Sequence, residues 1–319
     1  MNNIIKKVPI PLCGLILGLA ALGNLLQSYS EAIRYICGVA SGLLLILFLL
    51  KCILFPEIIK EDMHNPIMAS VSGTFPMALM LLSVYVKPWL GVVSLYIWLI
   101  AIFMHIALIV YFTVRFIVKL QLPKVFASYY IVYVGIVVAS VTAPAYEKLW
   151  IGTAAFWFGF AAFIALLILV TFRYVKYPNV PDPAKPLICI YAAPLSLCIV
   201  GYLQSVTPKS FSLMITMYIA ACIIYLFALG KFLSYLKLSF YPSFASFTFP
   251  FVISALASKQ TMAAVAKLGM PIPALKYVVL VQTVIATAAV LYTLPGYMIF
   301  IFSNPKVKKE QIVPPSHSA

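Results

Sequence analysis

Four apolar stretches of this chain, each long enough to cross a bilayer, carry a proline near the middle: Pro76, Pro144, Pro194 and Pro250. Proline removes a backbone donor and clashes with the carbonyl four residues earlier. In hydrocarbon every freed polar group needs a partner within the protein, so broken helices are tolerated only where neighbouring helices or a water-filled cavity take up those groups. These four segments are therefore expected to face inward and to shape a pathway. The carbonyls concerned belong to Ser72, Ser140, Ile190 and Ser246, and three of these four residues bring a hydroxyl that can serve a disturbed backbone.

The rest of the chain leaves little room for a soluble domain. Of its 319 residues 64% are hydrophobic and only 9% charged, with the charges gathered between long apolar runs. A run of ~20 such residues spans the hydrocarbon core. Ten runs can be placed, at 9–28, 32–55, 66–86, 89–118, 124–146, 150–173, 186–207, 210–235, 242–266 and 273–303. The first follows Lys6 and Lys7 like the core of a secretory signal, yet it is longer than such cores and nine comparable runs follow it, so it reads as a membrane helix. The expected fold is an all-α integral membrane protein of ten transmembrane helices. Pro76, Pro144, Pro194 and Pro250 fall in runs three, five, seven and nine, and no even run carries such a central proline. The first run differs, with Pro9 and Pro11 at its start and Gly14 and Gly18 deeper. Five helical hairpins around a central pore, with the odd helices inner and proline-kinked, satisfy this alternation. Residues 1–303 then make one pore domain and 304–319 a short tail.

Basic residues set the orientation, because cytoplasmic loops carry an excess of Lys and Arg. With the N-terminus inside, the far side receives Arg34, Lys87, Lys148, Lys209, Lys259, Lys267 and Lys276, and the cytoplasmic side holds the other fifteen of the 22, Lys306, Lys308 and Lys309 among them. Both termini are expected in the cytoplasm, in a multi-pass plasma or inner membrane. The net charge of +15 is thereby accounted for by lysines beside a bilayer, without a nucleic-acid partner.

Within their apolar spans the odd runs carry no charge, and Glu31, Glu57, Glu61, Asp62, Glu147, Asp182 and Glu310 all fall at segment ends, in loops or in the tail. Proton-coupled carriers and cation pumps place ionisable groups in the membrane, so cation transport through a buried carboxylate is disfavoured. The inner runs offer hydroxyls instead, among them Ser72, Ser140, Ser246 and Thr248. Such groups can donate to a partly dehydrated anion without trapping it. His64, His105 and His317 show no paired spacing, and the six cysteines form no CxxC pair, so neither a catalytic site, a metal site nor a cofactor is indicated. His105, in the middle of run four, reads as a neutral, hydrogen-bonded packing residue. Gly14/Gly18 and Gly38/Gly42 both fit GxxxG and suggest close contact between helices one and two. The proline-rich stretch Tyr177–Pro186 reads as a stiff linker.

His64-Asn65-Pro66 ahead of Phe75-Pro76-Met77, and Ser246-Phe247-Thr248-Phe249-Pro250 in the ninth run, resemble the tellurite-resistance/dicarboxylate transporter family, which includes the plant slow-type anion channels. The resemblance covers essentially the whole chain. It implies five hairpins around a pore, a homotrimer with one pore per subunit, and a phenylalanine gate in the ninth helix, which here is Phe249. Phe75 holds the equivalent place before Pro76 and is expected to narrow the pore too. The long N-terminal domain of the plant channels is missing, so kinase gating is not implied. The expected function is an anion channel or uniporter for small inorganic or organic anions rather than an enzyme. The alternatives are a proton-coupled carrier of C4-dicarboxylates such as malate, or an exporter of sulfite or tellurite. Which anion is physiological does not follow from the residues.

Overall fold

The computed structural model describes residues 2–303, so Lys306, Lys308, Lys309, Glu310, His317 and the expected tail 304–319 lie outside the described residues. Among those described the chain is helical and forms no strand. Among the described residues nine helices are long and apolar enough to cross a membrane. Together with the shorter apolar helix Leu12–Leu26 we number them in chain order: α1 (Leu12–Leu26), α2 (Glu31–Leu54), α3 (Pro66–Leu90), α4 (Val92–Ile117), α5 (Tyr129–Tyr146), α6 (Leu149–Lys176), α7 (Asp182–Ser205), α8 (Phe211–Tyr235), α9 (Pro242–Lys267) and α10 (Leu275–Phe302).

Burial divides them into two sets. The apolar windows of α3, α5, α7 and α9 are 61–94% buried, whereas those of α2, α4, α6, α8 and α10 are 28–39% buried. Nearly all of α1 is buried as well. The even helices turn Ile36, Ile53, Phe103 and Ile168 outward, an arrangement that is stable only against lipid or another apolar surface. Each odd element packs on the even helix that follows it, and the contacts among odd elements close on themselves: α1 with α3, α3 with α5, α5 with α7, α7 with α9, and α9 with α1.

The central prolines do not bend continuous helices; three of the four sit where a helix restarts and one where a segment ends. In α3 the side chain of Asn65 caps a first helix, Pro66–Val71, and after Ser72 and Gly73 the α-helix resumes at Thr74 with Pro76 in its first turn. In α7 a 3-10 stretch, Asp182–Ala192, gives way to the α-helix Ala193–Ser205 with Pro194 in its first turn. In α9 the 3-10 stretch Pro242–Phe247 is followed by Thr248 at φ −94°, ψ −88°, and the α-helix Phe249–Lys267 begins with Pro250 in its first turn. Proline is harmless there because the first N–H groups of a helix have no intrahelical partner. Pro144 lies in a 3-10 turn, Ala143–Tyr146, which ends α5.

Pro295 lies inside the even helix α10, nearer its C-terminal end than its centre. Two expectations are corrected. The stiff linker is shorter than Tyr177–Pro186, since a helical stretch begins at Asp182 and contains Pro186. The GxxxG glycines do not meet each other. A Cβ on Gly14 would meet Ala245 at 3.0 Å and one on Gly18 would meet Thr248 at 2.5 Å, both in α9; one on Gly38 would meet Tyr85 of α3, and Gly42 faces open space. Thus α1 and α2 pack without the glycine seam, and the small residues of α1 instead admit the break in α9.

Candidate functional site

A cavity of about 260 Å³ lies among the odd elements, and all five of them line it. Each contributes residues at helical spacing, most completely α9, with Phe249, Ile253, Leu256 and Gln260 at intervals of three and four residues. Exposure rises along these stripes. On α9 Phe249 and Ile253 are buried while Leu256 and Gln260 are half-buried; on α7 Leu197 and Val200 are buried and Gln204 half-buried; on α1 the order is Ala21, Asn24, Gln27, from buried to exposed. The cavity therefore opens at the end of the bundle away from the N-terminus and ends inward at Phe249. Its wall is apolar, with Leu81, Val84, Val138 and Val141 from α3 and α5. Its mouth is polar, with Asn24, Gln27, Gln204, Gln260 and Arg34.

Phe249 differs from the phenylalanines two residues either side of it. Phe247 and Phe251 pack on Phe232 of α8, each with ring centroids 5.0 Å apart, away from the axis. Phe249 is 6% exposed and lines the cavity. Its backbone is fixed by the residue before it: Thr248 Oγ1 donates to Gly14 O (3.0 Å) and Ala245 O (2.7 Å), and a Cβ on Gly18 would stand 2.5 Å from that hydroxyl and 3.1 Å from Phe249 N. Gly14 and Gly18 let the break in α9 sit against α1. Phe75, in contrast, is half-buried and packs on Phe48 of α2 with centroids 5.4 Å apart; it is not part of the cavity wall.

The hydroxyls expected along a pathway are engaged with backbone. Ser72 Oγ donates to Ala69 O (2.7 Å), Ser140 Oγ to Gly152 O (2.5 Å), and Ser246 Oγ to Pro186 O (2.6 Å) and Ser243 O (2.7 Å). The carbonyl of Ser140, four residues before Pro144, accepts from Ser205 Oγ of α7 (2.5 Å), so a neighbour's hydroxyl takes up the group that the proline frees. Hydroxyls in fact join every pair in the closed set of odd elements. Tyr85 bonds Ala20 O (α3 to α1), Ser70 bonds Ser128 (α3 to α5), Ser205 bonds Ser140 O (α7 to α5), Ser246 bonds Pro186 O (α9 to α7) and Thr248 bonds Gly14 O (α9 to α1). Ser72, Ser140, Ser246 and Thr248 do not line the cavity; the hydroxyl that does is that of Thr142, which accepts from Trp98 Nε1 (2.7 Å) while donating to Val138 O (2.8 Å). Pro76, Pro194 and Pro250 mark restarts and Pro144 the end of α5, and none of the four lines the wall.

His105 is fully buried and turned toward α5, where Nε2 lies 2.9 Å from Val132 O, one turn before the 3-10 stretch Gly135–Val137. The sequence reading of a hydrogen-bonded packing histidine matches this geometry. The mouth residues were missed. Their signal was a carboxamide near the end of an otherwise apolar odd run, as at Asn24, Gln27, Gln204 and Gln260.

An apolar, uncharged wall beneath a basic and amide-rich mouth can admit an anion without holding it tightly, and a buried ring at its inner end can close it by volume and by excluding water. A profile of the voltage-dependent anion channel family matches residues 7–298, nearly the whole chain. The chain belongs to this family. No curated protein matches the sequence closely enough to report. The family is one of anion channels and transporters, and the nine spanning-length apolar helices among the described residues fit a multi-pass membrane protein.

Proposed function

We propose that this family member is an anion channel or uniporter whose pathway is the cavity among the odd elements, occluded at Phe249. Five hairpins place α1, α3, α5, α7 and α9 inside and the even helices toward lipid. Both termini lie in the cytoplasm, the cavity opens on the outer side, residues 304–319 form a cytoplasmic tail, and the subunits assemble as trimers. The observation that carries this reading is that all five odd elements line one cavity with Phe249 at its buried end. The lining residues include no carboxylate and no histidine, which disfavours a proton-coupled dicarboxylate carrier because such coupling needs a titrating group on the path. Reconstitution into liposomes tests the proposal. Current that reverses at the anion equilibrium potential is expected; substrate uptake that requires a pH gradient would replace the channel with a carrier.

A further inference from the structure

The mouth of the cavity is better furnished than passage of an anion requires. Arg34, near the start of α2, reaches into it with a side chain only 13% exposed. Its guanidinium lies over the ring of Tyr85 (4.6 Å to the centroid), and Nε approaches Asn24 Oδ1 at 3.4 Å. The one ion pair it makes among the described residues is a loose contact of a terminal nitrogen with Glu31 Oε2 at 3.8 Å. Glu31 is meanwhile engaged by Gln27, whose Nε2 donates to Oε1 at 2.7 Å. A part-buried cation with so weak a counter-charge is an anion site in waiting, because its planar fork of donors matches a two-oxygen acceptor. Gln204 and Gln260 line the same cavity, and their carboxamides can donate without adding charge. Lys259 and Lys87 border the same end, tied to Leu25 O and Ser28 Oγ and to Ala145 O respectively, and add to the positive potential.

We infer that the mouth is a binding site for a small planar oxyanion of the carboxylate type, gripped by Arg34 and completed by Gln204 and Gln260. The site captures the anion before it meets the apolar wall, and so selects by shape as well as by charge. A halide has no second oxygen for the fork and gains only the charge. The inference takes the cavity as an anion pathway, as proposed above, but binding at the mouth does not depend on conduction.

The purified protein in detergent provides the test. A ligand that binds the folded state raises the melting temperature saturably with concentration. Sodium formate, exchanged against sodium bromide at constant ionic strength, is expected to raise it in the wild type. Arg34→Lys keeps the charge but loses the fork, and Arg34→Gln loses both. The formate-specific rise should shrink in the first and vanish in the second. Gln260→Leu leaves the guanidinium untouched and should weaken apparent formate affinity by about tenfold, the scale of one hydrogen bond to a charged group; it serves also if the Arg34 variants do not fold. Equal curves in formate and bromide for the wild type, or a wild-type preference in Arg34→Lys and Gln260→Leu, would overturn the site. Liposome currents separate this from the channel reading: binding without current removes the channel and keeps the site, and current without a formate preference removes the site and keeps the channel.

Discussion

Phe75 and Phe249 each stand directly before a proline in the first turn of an α-helix, in α3 and α9 respectively, and each follows a break in the helical ladder. Phe75 packs on Phe48 of an outer helix, whereas Phe249 lines the buried end of the cavity. The same dipeptide at the same kind of break thus has two fates. The difference lies in what the break touches. In α9 the break residue Thr248 bonds the first helix at Gly14 O, and Gly18 leaves the space that Thr248 and Phe249 occupy. In α3 the hydroxyl of Ser72 bonds Ala69 O, three residues back in its own helix, and the tie to a neighbour comes from Ser70, whose Oγ bonds Ser128 Oγ of α5 (2.7 Å). The α9 break is thus held against α1 and the α3 break against α5, so the two helix starts are set by different neighbours.

The largest expected effect separates the two rings directly. Phe249→Ala should raise anion flux through liposomes by an order of magnitude or more, because a ring that closes by volume and dewetting is removed. Its melting temperature should change little, since the ring already borders empty space. Phe75→Ala should leave flux where it is and lose roughly 3 kcal/mol of stability, the usual scale for emptying an aromatic contact in a packed region. Interchanged outcomes, with flux rising in Phe75→Ala and stability falling in Phe249→Ala, would reverse the assignment of gate and packing residue.

Gly18→Ala tests why the rings differ. Its new methyl would stand 2.5 Å from Thr248 Oγ1 and 3.1 Å from Phe249 N, closer than a Cβ tolerates, so the start of α9 must move away from α1. A displaced Phe249 should leak, giving a flux above the wild type and below Phe249→Ala. Gly42→Ala is the control, because Gly42 faces open space, and it should be silent in flux and melting temperature alike. Silence of Gly18→Ala would mean that α1 does not position the gate.

Much of this was legible in the residues, and the remainder was hidden for a physical reason. Apolar run length gives the spans, so the expected 32–55 and 210–235 correspond to Glu31–Leu54 and Phe211–Tyr235. Proline chemistry locates the breaks, since Pro76, Pro194 and Pro250 all sit in first turns. What pattern alone does not contain is rotation about the helix axis in a segment apolar on every side. Ser72, Ser140 and Ser246 were expected along a pathway for that reason, yet each hydroxyl serves a carbonyl, where an unpaired group in an apolar interior would cost more than a pore contact gains. Gly14 and Gly18 read as a helix-one to helix-two seam because spacing does not say which neighbour fills the notch; it is α9. Arg34 was counted as a loop charge, and only the fold turns it into the mouth of the cavity.

His105→Leu probes a third break, the 3-10 stretch in α5, with no gate beside it. The substitution removes the ring nitrogen 2.9 Å from Val132 O, the loss of one buried hydrogen bond, at about 1 kcal/mol. Flux should not change, because His105 does not line the cavity. A change in ion selectivity in this variant would show that α5 transmits strain to the wall.

The smallest effect returns to the two breaks. Thr248→Val keeps the shape of the side chain and removes the hydroxyl that reaches both Gly14 O and Ala245 O, at a cost of about 1 kcal/mol. Because one of those carbonyls belongs to α1, the loss should also loosen the start of α9 and raise flux measurably, though far less than Phe249→Ala. Ser72→Ala removes a bond within its own helix at a half-buried site, and should cost less than Thr248→Val and leave flux unchanged. Melting temperature and liposome flux of the pair decide the matter. If both variants lose similar stability and neither leaks, the tie to α1 is a staple like any other and Phe249 owes its position to packing alone.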